Sequence, residues 1–600
     1  MKIKLNLFEI LVFGVTELVF FSLILALMGV FYKALIIFIL VMEGVVLIYL
    51  LKKKIIIIEK MKKFDFMVLI FLIIVSLTYT LSVEPTIYGG RDEGSFTASG
   101  VLLAKNHGLV HSDNLITQFG SIYQNGKALN FPGFYYHTGD SIKSQFLPGF
   151  FTWIGVNYSI FSFSGLRLIN FLPLIIFGFS FYLVLKNLTQ NKIYSLLGLL
   201  ILLTFPVIFI LFKFSLSEIF FASFLWFSIY LLIKYFKNKS YINYFLAVYS
   251  LILLPFIRIE AVIIIPLVFL LFLIFDFANF RNKKYYYLFL IPIAAIIISI
   301  FTSPNFFIDT FKGVLEVENN TEQSDDALLG EEGFSFIPDD WEDFYLPKVL
   351  LNYGVLPLLI IFIIEILARL KRLLQNFKIS KNNFFQHLNK ISKKDKLKLV
   401  PFIVLGLTFY YIIDPNISND HPWMLRRFAF SVIPASLVYS LIFFKNIKLR
   451  NILGFIFFSG IMAYNIYLII PFWNFSQNQG LYEDFQKLSS RFDQDDLVLV
   501  SQQSSASQWS LLSEPLRIFE GLEAVYFFNP NDLKKLDLQD FDKVYLLAQK
   551  KELDLYQEIV DKKASGYNLD YKIVKPLKSP FAKPQIQQIS MEGNIYLIKK

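Results

Sequence analysis

Two adjacent carboxylates, Asp92 and Glu93, are the residues of this sequence best placed to do chemistry. They follow an apolar segment, 65–83, and open a long polar segment that begins with a helical pattern. Successive residues at a helix start point in different directions, so the pair is not expected to form one two-oxygen clamp. One carboxylate could accept a hydroxyl proton while the other fixes that hydroxyl, a sugar or a metal ion. The alternative is a pair of solvated acids favoured by the start of a helix.

The elements that must position this pair are membrane helices. Hydrophobic residues make up 55% of the chain, with 68 Phe, and the mean hydropathy is +0.54, which excludes an ordinary soluble domain. The absence of Cys excludes a disulfide framework, a thiolate metal site and a thiol nucleophile. The net charge of +10 comes largely from basic residues that flank apolar segments, as in 52–63 and 369–398. That placement is typical of loops that orient a protein in a membrane, and nucleic acid is not an expected partner.

Thirteen apolar segments are long enough to cross a bilayer. They lie at 8–29, 30–51, 65–83, 166–186, 192–212, 217–235, 240–257, 259–276, 284–302, 348–367, 398–414, 428–444 and 450–471. With the N-terminus inside, thirteen spans put the basic loops on one face, as the positive-inside rule requires. A further apolar segment, 146–163, is expected to lie in or re-enter the outer leaflet, because a crossing there would turn every later basic loop outward.

This topology predicts three parts in an integral protein of a prokaryotic cytoplasmic membrane. Residues 1–64 form a transmembrane hairpin and a basic cytoplasmic loop, and 65–471 form the transmembrane catalytic domain. The catalytic domain carries the outer loops 84–145 and 303–347, of which the second is rich in acids. In 472–600, apolar runs alternate with polar helical patterns, which is typical of a small α/β domain. The predicted fold class is mainly α: a polytopic transmembrane bundle of about 13 spans with a C-terminal α/β domain on the outer face.

Five short motifs occur in order within the first half of the chain. They are Arg91-Asp92-Glu93-Gly94, Phe146-Leu147-Pro148-Gly149-Phe150-Phe151, Gly165-Leu166-Arg167-Leu168-Ile169-Asn170, Ser217-Glu218-Ile219-Phe220-Phe221 and Pro255-Phe256-Ile257-Arg258-Ile259-Glu260-Ala261. This series resembles the polytopic glycosyltransferases of the GT-C fold, over roughly residues 65–440. It is most similar to the branch that contains protein mannosyltransferases, lipid A aminoarabinose transferases and related bacterial enzymes.

The resemblance implies that a sugar is transferred, with inversion, from a polyprenyl-phosphate donor to a lipid, glycan or protein acceptor at the outer membrane face. In such families the acid of the first outer loop is the proposed base, which maps onto Asp92 with Glu93 beside it. Arg91 should keep Asp92 ionised and, together with Glu260 and His421, is predicted to orient the substrates. No protein metal site is predicted, although a divalent metal as cofactor is left open.

Transfer from a phosphate also needs cations, because negative charge builds on the departing group in the transition state. Arg258 lies in apolar surroundings, where a charge is costly, and a guanidinium can bind phosphate with two parallel hydrogen bonds. The alternative role for Arg258 is a salt bridge to Glu260. Arg426 and Arg427 open an outer loop into a span, where they would bind the donor phosphate or anchor at lipid headgroups. Lys143 is a further candidate for donor phosphate binding.

Three other functions are weighed against this one. A transporter or flippase of lipid-linked saccharides would show internal repeats and interrupted helices with charges near mid-membrane. A polymerase or ligase of surface polysaccharide would carry its basic and histidine motifs in large late loops. A receptor or scaffold would act through the tail, 472–600. The early carboxylate pair at a membrane surface favours the glycosyltransferase.

Overall fold

The computed structural model describes most of the chain: residues 2–88, 92–123, 126–315, 345–378, 392–414, 420–445, 448–505 and 512–600. Within these residues the protein is mainly α-helical, with three small sheets. The predicted fold class, a helical bundle with a small C-terminal sheet domain, is confirmed. Arg91 and most of the acidic loop 303–347 lie outside the described residues.

The helices follow one another with short connections. In the first half of the chain they are α1 (Leu7–Leu27), α2 (Lys33–Lys52), α3 (Lys63–Leu81), α4 (Asp92–Asn106), α5 (Asn114–Ile122), α6 (Pro148–Phe161), α7 (Phe171–Thr189), α8 (Lys192–Thr204), α9 (Pro206–Phe212), α10 (Ser217–Asn238), α11 (Tyr241–Tyr249), α12 (Leu254–Ile257), α13 (Ala261–Phe280) and α14 (Lys283–Thr302). In the second half they are α15 (Pro304–Leu315), α16 (Tyr345–Asn352), α17 (Val355–Lys378), α18 (Lys393–Leu405), α19 (Val432–Lys445), α20 (Lys448–Ile469), α21 (Leu481–Ser489), α22 (Ser513–Ile518) and α23 (Leu553–Tyr556).

The strands form one sheet near the N-terminus, one within 84–145 and one in the C-terminal region. They are β1 (Ile3–Leu5), β2 (Ile56–Ile58), β3 (Val110–His111), β4 (Phe134–Thr138), β5 (Ser141–Ser144), β6 (Leu497–Val500), β7 (Glu523–Tyr526), β8 (Val544–Ala548), β9 (Val560–Val574) and β10 (Ile586–Ile598). The sheets have the orders β1-β2, β3-β5-β4 and β7-β6-β8-β10-β9. In the last, β6 is parallel to β7 and β8, while β10 is antiparallel to β8 and β9.

Among the described residues, eight helices are long and apolar enough to cross a membrane, and they make the chain an integral membrane protein. These are α1, α2, α3, α7, α10, α13, α14 and α20. The number rises to ten if two bent pairs count as one span each. The pair α8 and α9 is bent by 62°, and the pair α16 and α17 by 102°.

The predicted number of thirteen spans is not confirmed, although every predicted segment contains helix. Segment 192–212 breaks at Phe205, whose backbone is extended because Pro206 follows it. Segment 240–257 is interrupted between α11 and α12. Segment 398–414 leaves the α-helix after Leu405 and continues as a 3-10 turn, and α19 has only 14 residues. Apolar length alone therefore overestimates the number of straight spans.

The core helix of the bundle is α10, which is buried along most of its length. The indole nitrogen of Trp226 on this helix donates to the Phe430 carbonyl at 2.9 Å, which joins α10 to the turn before α19. This helix begins at Ser217, and the charged residue that follows, Glu218, is buried.

Glycines set how closely the outer helices approach this core. A Cβ atom on Gly100 of α4 would lie 2.6 Å from the Ile154 side chain of α6. A Cβ atom on Gly149 of α6 would lie 2.7 Å from the Phe256 carbonyl oxygen of α12. Any larger side chain would therefore push these helices apart. Through α6, the helix that begins at Asp92 is held against the segment that leads to Arg258.

The C-terminal region contacts both the segment 84–145 and the turn that precedes α19. The Asn130 side chain donates to the Tyr526 carbonyl at 2.7 Å, and the Tyr526 amide donates to the Asn130 carbonyl at 3.2 Å. His421 and Leu577 exchange two backbone hydrogen bonds of 3.0 and 3.1 Å. The five strands of this sheet all lie within 472–600. The exact domain boundaries stay a prediction.

Candidate active site

The site begins at the first turn of α4, where Asp92 and Glu93 lie. The Asp92 side chain is 36% exposed, whereas Glu93 is buried. Carboxylates at this position are favoured by the positive end of the helix dipole. The two acids therefore differ in access: Asp92 can meet a solute, while Glu93 is enclosed by the protein.

Asp92 forms an ion pair with Arg426. Arg426 Nη1 donates to Asp92 Oδ2 at 2.6 Å, across 334 residues of sequence. Arg426 lies in the 3-10 turn Trp423–Phe428 that leads into α19. Burial disfavours the charged guanidinium, but Asp92 and then Glu218 outweigh that effect, so the pKa of Arg426 is raised. The Nε atom of Arg426 is buried and has no hydrogen-bond partner in the described part of the chain.

A second carboxylate, that of Glu218, connects Arg426 to Arg258. Glu218 Oε1 accepts from Arg258 Nη1 at 2.8 Å and lies 3.6 Å from Arg426 Nε. Glu218 is the second residue of the core helix α10 and is fully buried. Within the described residues, its Oε2 atom is buried and has no hydrogen-bond partner. The Oε1 atom of Glu218 thus lies beside two arginines, and its Oε2 atom can accept a further hydrogen bond.

The salt bridge that the sequence offered as an alternative for Arg258 is present. Arg258 donates to Glu260 through Nη2 at 2.9 Å and through Nε at 3.1 Å. Its Nη1 also donates to Ser217 Oγ at 3.1 Å. Most of the N–H groups of Arg258 are therefore engaged by the protein. Direct contact between Arg258 and a donor phosphate stays a prediction.

The cluster continues to Arg427 through Tyr411. The Tyr411 hydroxyl donates to Glu260 Oε1 at 2.8 Å, and Arg427 Cζ lies 5.0 Å from the centre of the Tyr411 ring. Burial lowers the pKa of Arg427, with Tyr411 and Glu260 opposing that effect. Both arginines of the predicted pair therefore belong to one polar cluster. Arg426 contacts Asp92 and Glu218, and Arg427 contacts Tyr411.

These contacts link six charged side chains, which we call the arginine–carboxylate cluster. Its members are Asp92, Glu218, Arg258, Glu260, Arg426 and Arg427. The three positive and three negative charges of these side chains balance. Asp92 is the carboxylate at the exposed edge of the cluster.

Lys143 and His421 have other contacts in the described chain. Lys143 lies on β5 and donates to the Thr302 carbonyl at the end of α14, and burial lowers its pKa. The His421 ring contacts the Tyr353 hydroxyl at 3.0 Å and the Ser579 carbonyl at 2.7 Å. Burial lowers the pKa of His421 as well. Both side chains tie separate segments together, and their predicted roles toward substrate stay predictions.

Two members of the site were not predicted from the sequence. Glu218 stood in one of the quoted motifs, and a lone acid at the start of an otherwise apolar span is itself a signal of function. Tyr411 gave no such signal, because tyrosine is common throughout this chain. As to metals, the described residues contain no group of three or more His, Asp or Glu side chains arranged to hold an ion.

Loss of the Glu218 charge should destabilise the protein. Glu218→Gln leaves two half-buried arginines with one fewer counter-charge, and removing the buried partner of such an ion pair costs about 3–5 kcal/mol. We expect a clearly lower melting temperature in detergent solution. Glu483→Gln, on the exposed face of α21, is the matched control and should change stability by no more than about 0.5 kcal/mol. Equal melting temperatures for the two variants would contradict the bridging role.

Comparison with known proteins adds a distant similarity. No family model and no curated protein matches the sequence. A solved structure of ArnT from Cupriavidus metallidurans in the apo state is similar with 10% identity and a TM-score of 0.37. ArnT from the same organism bound to undecaprenyl phosphate gives 9% identity and a TM-score of 0.40. Each covers 88% of this chain and 97% of the other. At these values the similarity concerns the overall course of the chain, and no residue role is transferred from it.

Proposed function

We propose that this protein is a membrane glycosyltransferase that moves a sugar from a polyprenyl-phosphate donor to an acceptor hydroxyl at the outer membrane face, with inversion. The observation that carries the proposal is the Asp92–Arg426 pair, 2.6 Å apart, at the exposed edge of a buried arginine–carboxylate cluster. It places a proton acceptor directly beside a cation that can bind phosphate. These are the two groups that such a displacement needs.

In this mechanism, Asp92 is the base. The acceptor oxygen attacks the anomeric carbon while its proton passes to Asp92, and the bond from that carbon to the phosphate oxygen breaks. Polyprenyl phosphate leaves with the electron pair of the broken bond. Glu93, adjacent but buried, orients the acceptor or the first turn of α4.

Arg426 is the proposed ligand of the donor phosphate. An incoming phosphate would take the place of Asp92 on the guanidinium, because the cluster is already neutral. Binding of the donor would thereby free the carboxylate to accept the acceptor proton, so that the base becomes available only when the donor is present. Arg427, on the opposite side of the cluster, is the second arginine proposed for the phosphate.

Arg258, Glu218 and Glu260 are proposed as positioning residues. Their mutual contacts of 2.8–3.1 Å hold the guanidinium of Arg258 in place, and Glu218 in turn lies beside Arg426. A guanidinium fixed by buried partners loses little conformational entropy when it binds an anion. The buried part of the cluster would thus prepare its exposed edge for donor binding.

The proposal requires the site to face outward. Because the chain contains no Cys, single cysteines report sidedness directly. Ser490→Cys in the C-terminal region should react with an impermeant thiol reagent on intact cells, whereas Lys60→Cys in the basic loop should react only after permeabilisation. Both native side chains are exposed, so access is not limited by burial. The reverse pattern of labelling would move the site to the other face and overturn the assignment.

The decisive test of activity uses purified protein with radiolabelled polyprenyl-phosphate sugars and a set of lipid, glycan and protein acceptors. We expect label in the acceptor and release of unlabelled polyprenyl phosphate. Movement of intact donor across a vesicle membrane, without cleavage of its sugar–phosphate bond, would instead identify a flippase. A product that contains several donor units would identify a polymerase.

A further inference from the structure

A second polar site lies away from the arginine–carboxylate cluster. It is a cleft of about 500 Å³ between the last turn of α3, the 3-10 turn Ser162–Arg167 and the segment that follows α20. Its lining includes the charged residues Glu84 and Arg167, the amides of Asn474 and Gln479, and Trp473. We refer to it as the interfacial cleft. The proposed transfer reaction uses none of these side chains.

The apolar surroundings place this cleft at the edge of the bilayer. Leu81, at the end of α3, is 75% exposed, and Ile470, just after α20, is 63% exposed. Trp473 lines the cleft and is 50% exposed. Large apolar side chains on the outside of membrane helices face lipid tails, and Trp is enriched where the tails meet the headgroups. The cleft therefore opens at headgroup level, next to surfaces on which acyl chains can lie.

Two opposite charges line the cleft without pairing to each other. Arg167 is exposed, and in the described residues no ion pair joins it to Glu84 or to another acid. The Glu84 carboxylate accepts a hydrogen bond from the Gly480 amide at 3.1 Å. A ligand that carries a negative and a positive group would complement both side chains. A phosphate joined to an ammonium group by a short linker has this pattern.

The walls of the cleft are fixed by Lys213, which is buried behind it. Its ammonium group donates to Ser82 Oγ at 3.0 Å and to the carbonyls of Phe472, Trp473 and Phe475 at 2.8, 2.7 and 2.6 Å. Ser82 and Trp473 both line the cleft and belong to different segments, the end of α3 and the segment after α20. Lys213 thus links the end of α3 to the segment after α20. These hydrogen bonds fix the two segments relative to each other.

We propose that the interfacial cleft binds the headgroup of a phospholipid that carries both phosphate and ammonium. The phosphate contacts Arg167, the ammonium contacts Glu84, and the acyl chains lie on the exposed apolar faces of α3 and α20. This inference is independent of the proposed function, since it uses neither Asp92 nor the arginines of the cluster.

The test measures lipid binding to the detergent-purified, full-length protein by native mass spectrometry. Titration with phosphatidylethanolamine should give tighter binding than titration with phosphatidylglycerol, which has the phosphate but no ammonium. Arg167→Ala should weaken binding of both lipids by about tenfold or more, the usual effect of losing one charge-assisted contact. Glu84→Gln should abolish the preference for phosphatidylethanolamine while retaining binding of phosphatidylglycerol.

Lys583→Ala is the matched control. Lys583 is an exposed cation that contacts Tyr467 on α20, outside the cleft, and its replacement should leave both lipids unaffected. Equal binding of the two lipids to the unmodified protein would overturn the proposal, as would an unchanged preference in Glu84→Gln. Competition by glycerophosphoethanolamine at the same concentration as the lipid would also overturn it, because the cleft would then bind a soluble headgroup. Circular dichroism of each variant separates loss of binding from loss of fold.

Discussion

Asp92→Asn should reduce turnover by about 100-fold or more, which is the usual contribution of a general base. The amide retains the shape of the side chain but cannot accept the acceptor proton. Donor affinity should be unchanged or higher, because the phosphate no longer competes with a carboxylate for Arg426. This combination, slow turnover with undiminished donor binding, is specific to a base that is paired with the phosphate ligand.

The measurement is product formation from a radiolabelled polyprenyl-phosphate sugar, made alongside equilibrium binding of the donor. Glu93→Gln provides the comparison: it removes an adjacent but buried acid, and we expect a smaller loss of turnover. Full turnover in Asp92→Asn would remove this residue from the mechanism. Weaker donor binding in the same variant would show instead that Asp92 supports Arg426 rather than competing for it.

Arg426→Ala should weaken use of the donor by about 10- to 150-fold in kcat/KM, corresponding to one charge-assisted contact of about 1.5–3 kcal/mol. Arg426→Lys should fall between Ala and the native residue, because it retains the charge but loses the planar fork. The effect should appear mainly in donor affinity. Turnover at saturating donor should be affected less, since Asp92 remains as the base.

Two controls make this result interpretable. Arg491→Ala removes an exposed arginine of the C-terminal region that contacts the Gly566 carbonyl, and it should leave donor use unchanged. Melting temperatures of all the variants show whether loss of the Arg426 pairing unfolds the protein. If Arg426→Ala is folded and uses the donor normally, the phosphate is held elsewhere, and Arg427 becomes the first alternative.

Much of the site could be predicted from the sequence because charges in apolar surroundings stand out. Arg258 stands out in this way, whereas Arg426 and Arg427 stand out as a basic pair where a loop enters a predicted span, and Glu260 as the possible salt-bridge partner of Arg258. The structure joins these four residues in one cluster with Asp92. Their pairing could not be predicted, because Asp92 and Arg426 are 334 residues apart and nothing local links them. The sequence allows two roles for Arg258, binding of the donor phosphate or a salt bridge to Glu260. The contacts of Arg258 with Glu260 and Glu218 are visible only in the folded structure.

The fold class could be predicted from the sequence, but the breaks within the helical spans could not. Every apolar segment that hydropathy identified contains helix, because apolar length is what a bilayer requires. It could not distinguish a straight span from a bent one. The break between α16 and α17 falls at Gly354, whose φ of +70° is readily adopted by glycine, and the break between α8 and α9 falls at Pro206. Lys143 and His421 illustrate the same limit for side chains, since both are engaged by carbonyl groups that are distant in sequence.

The link between His421 and Leu577 has a thermodynamic consequence for the C-terminal region. This link joins the connection between β9 and β10 to the turn that carries Arg426, five residues beyond His421. Under the proposed function, a molecule whose binding to the C-terminal region strengthened or weakened this link would change the affinity of Arg426 for the donor. Because coupling free energy is reciprocal, the donor would then change the affinity of that molecule by the same factor.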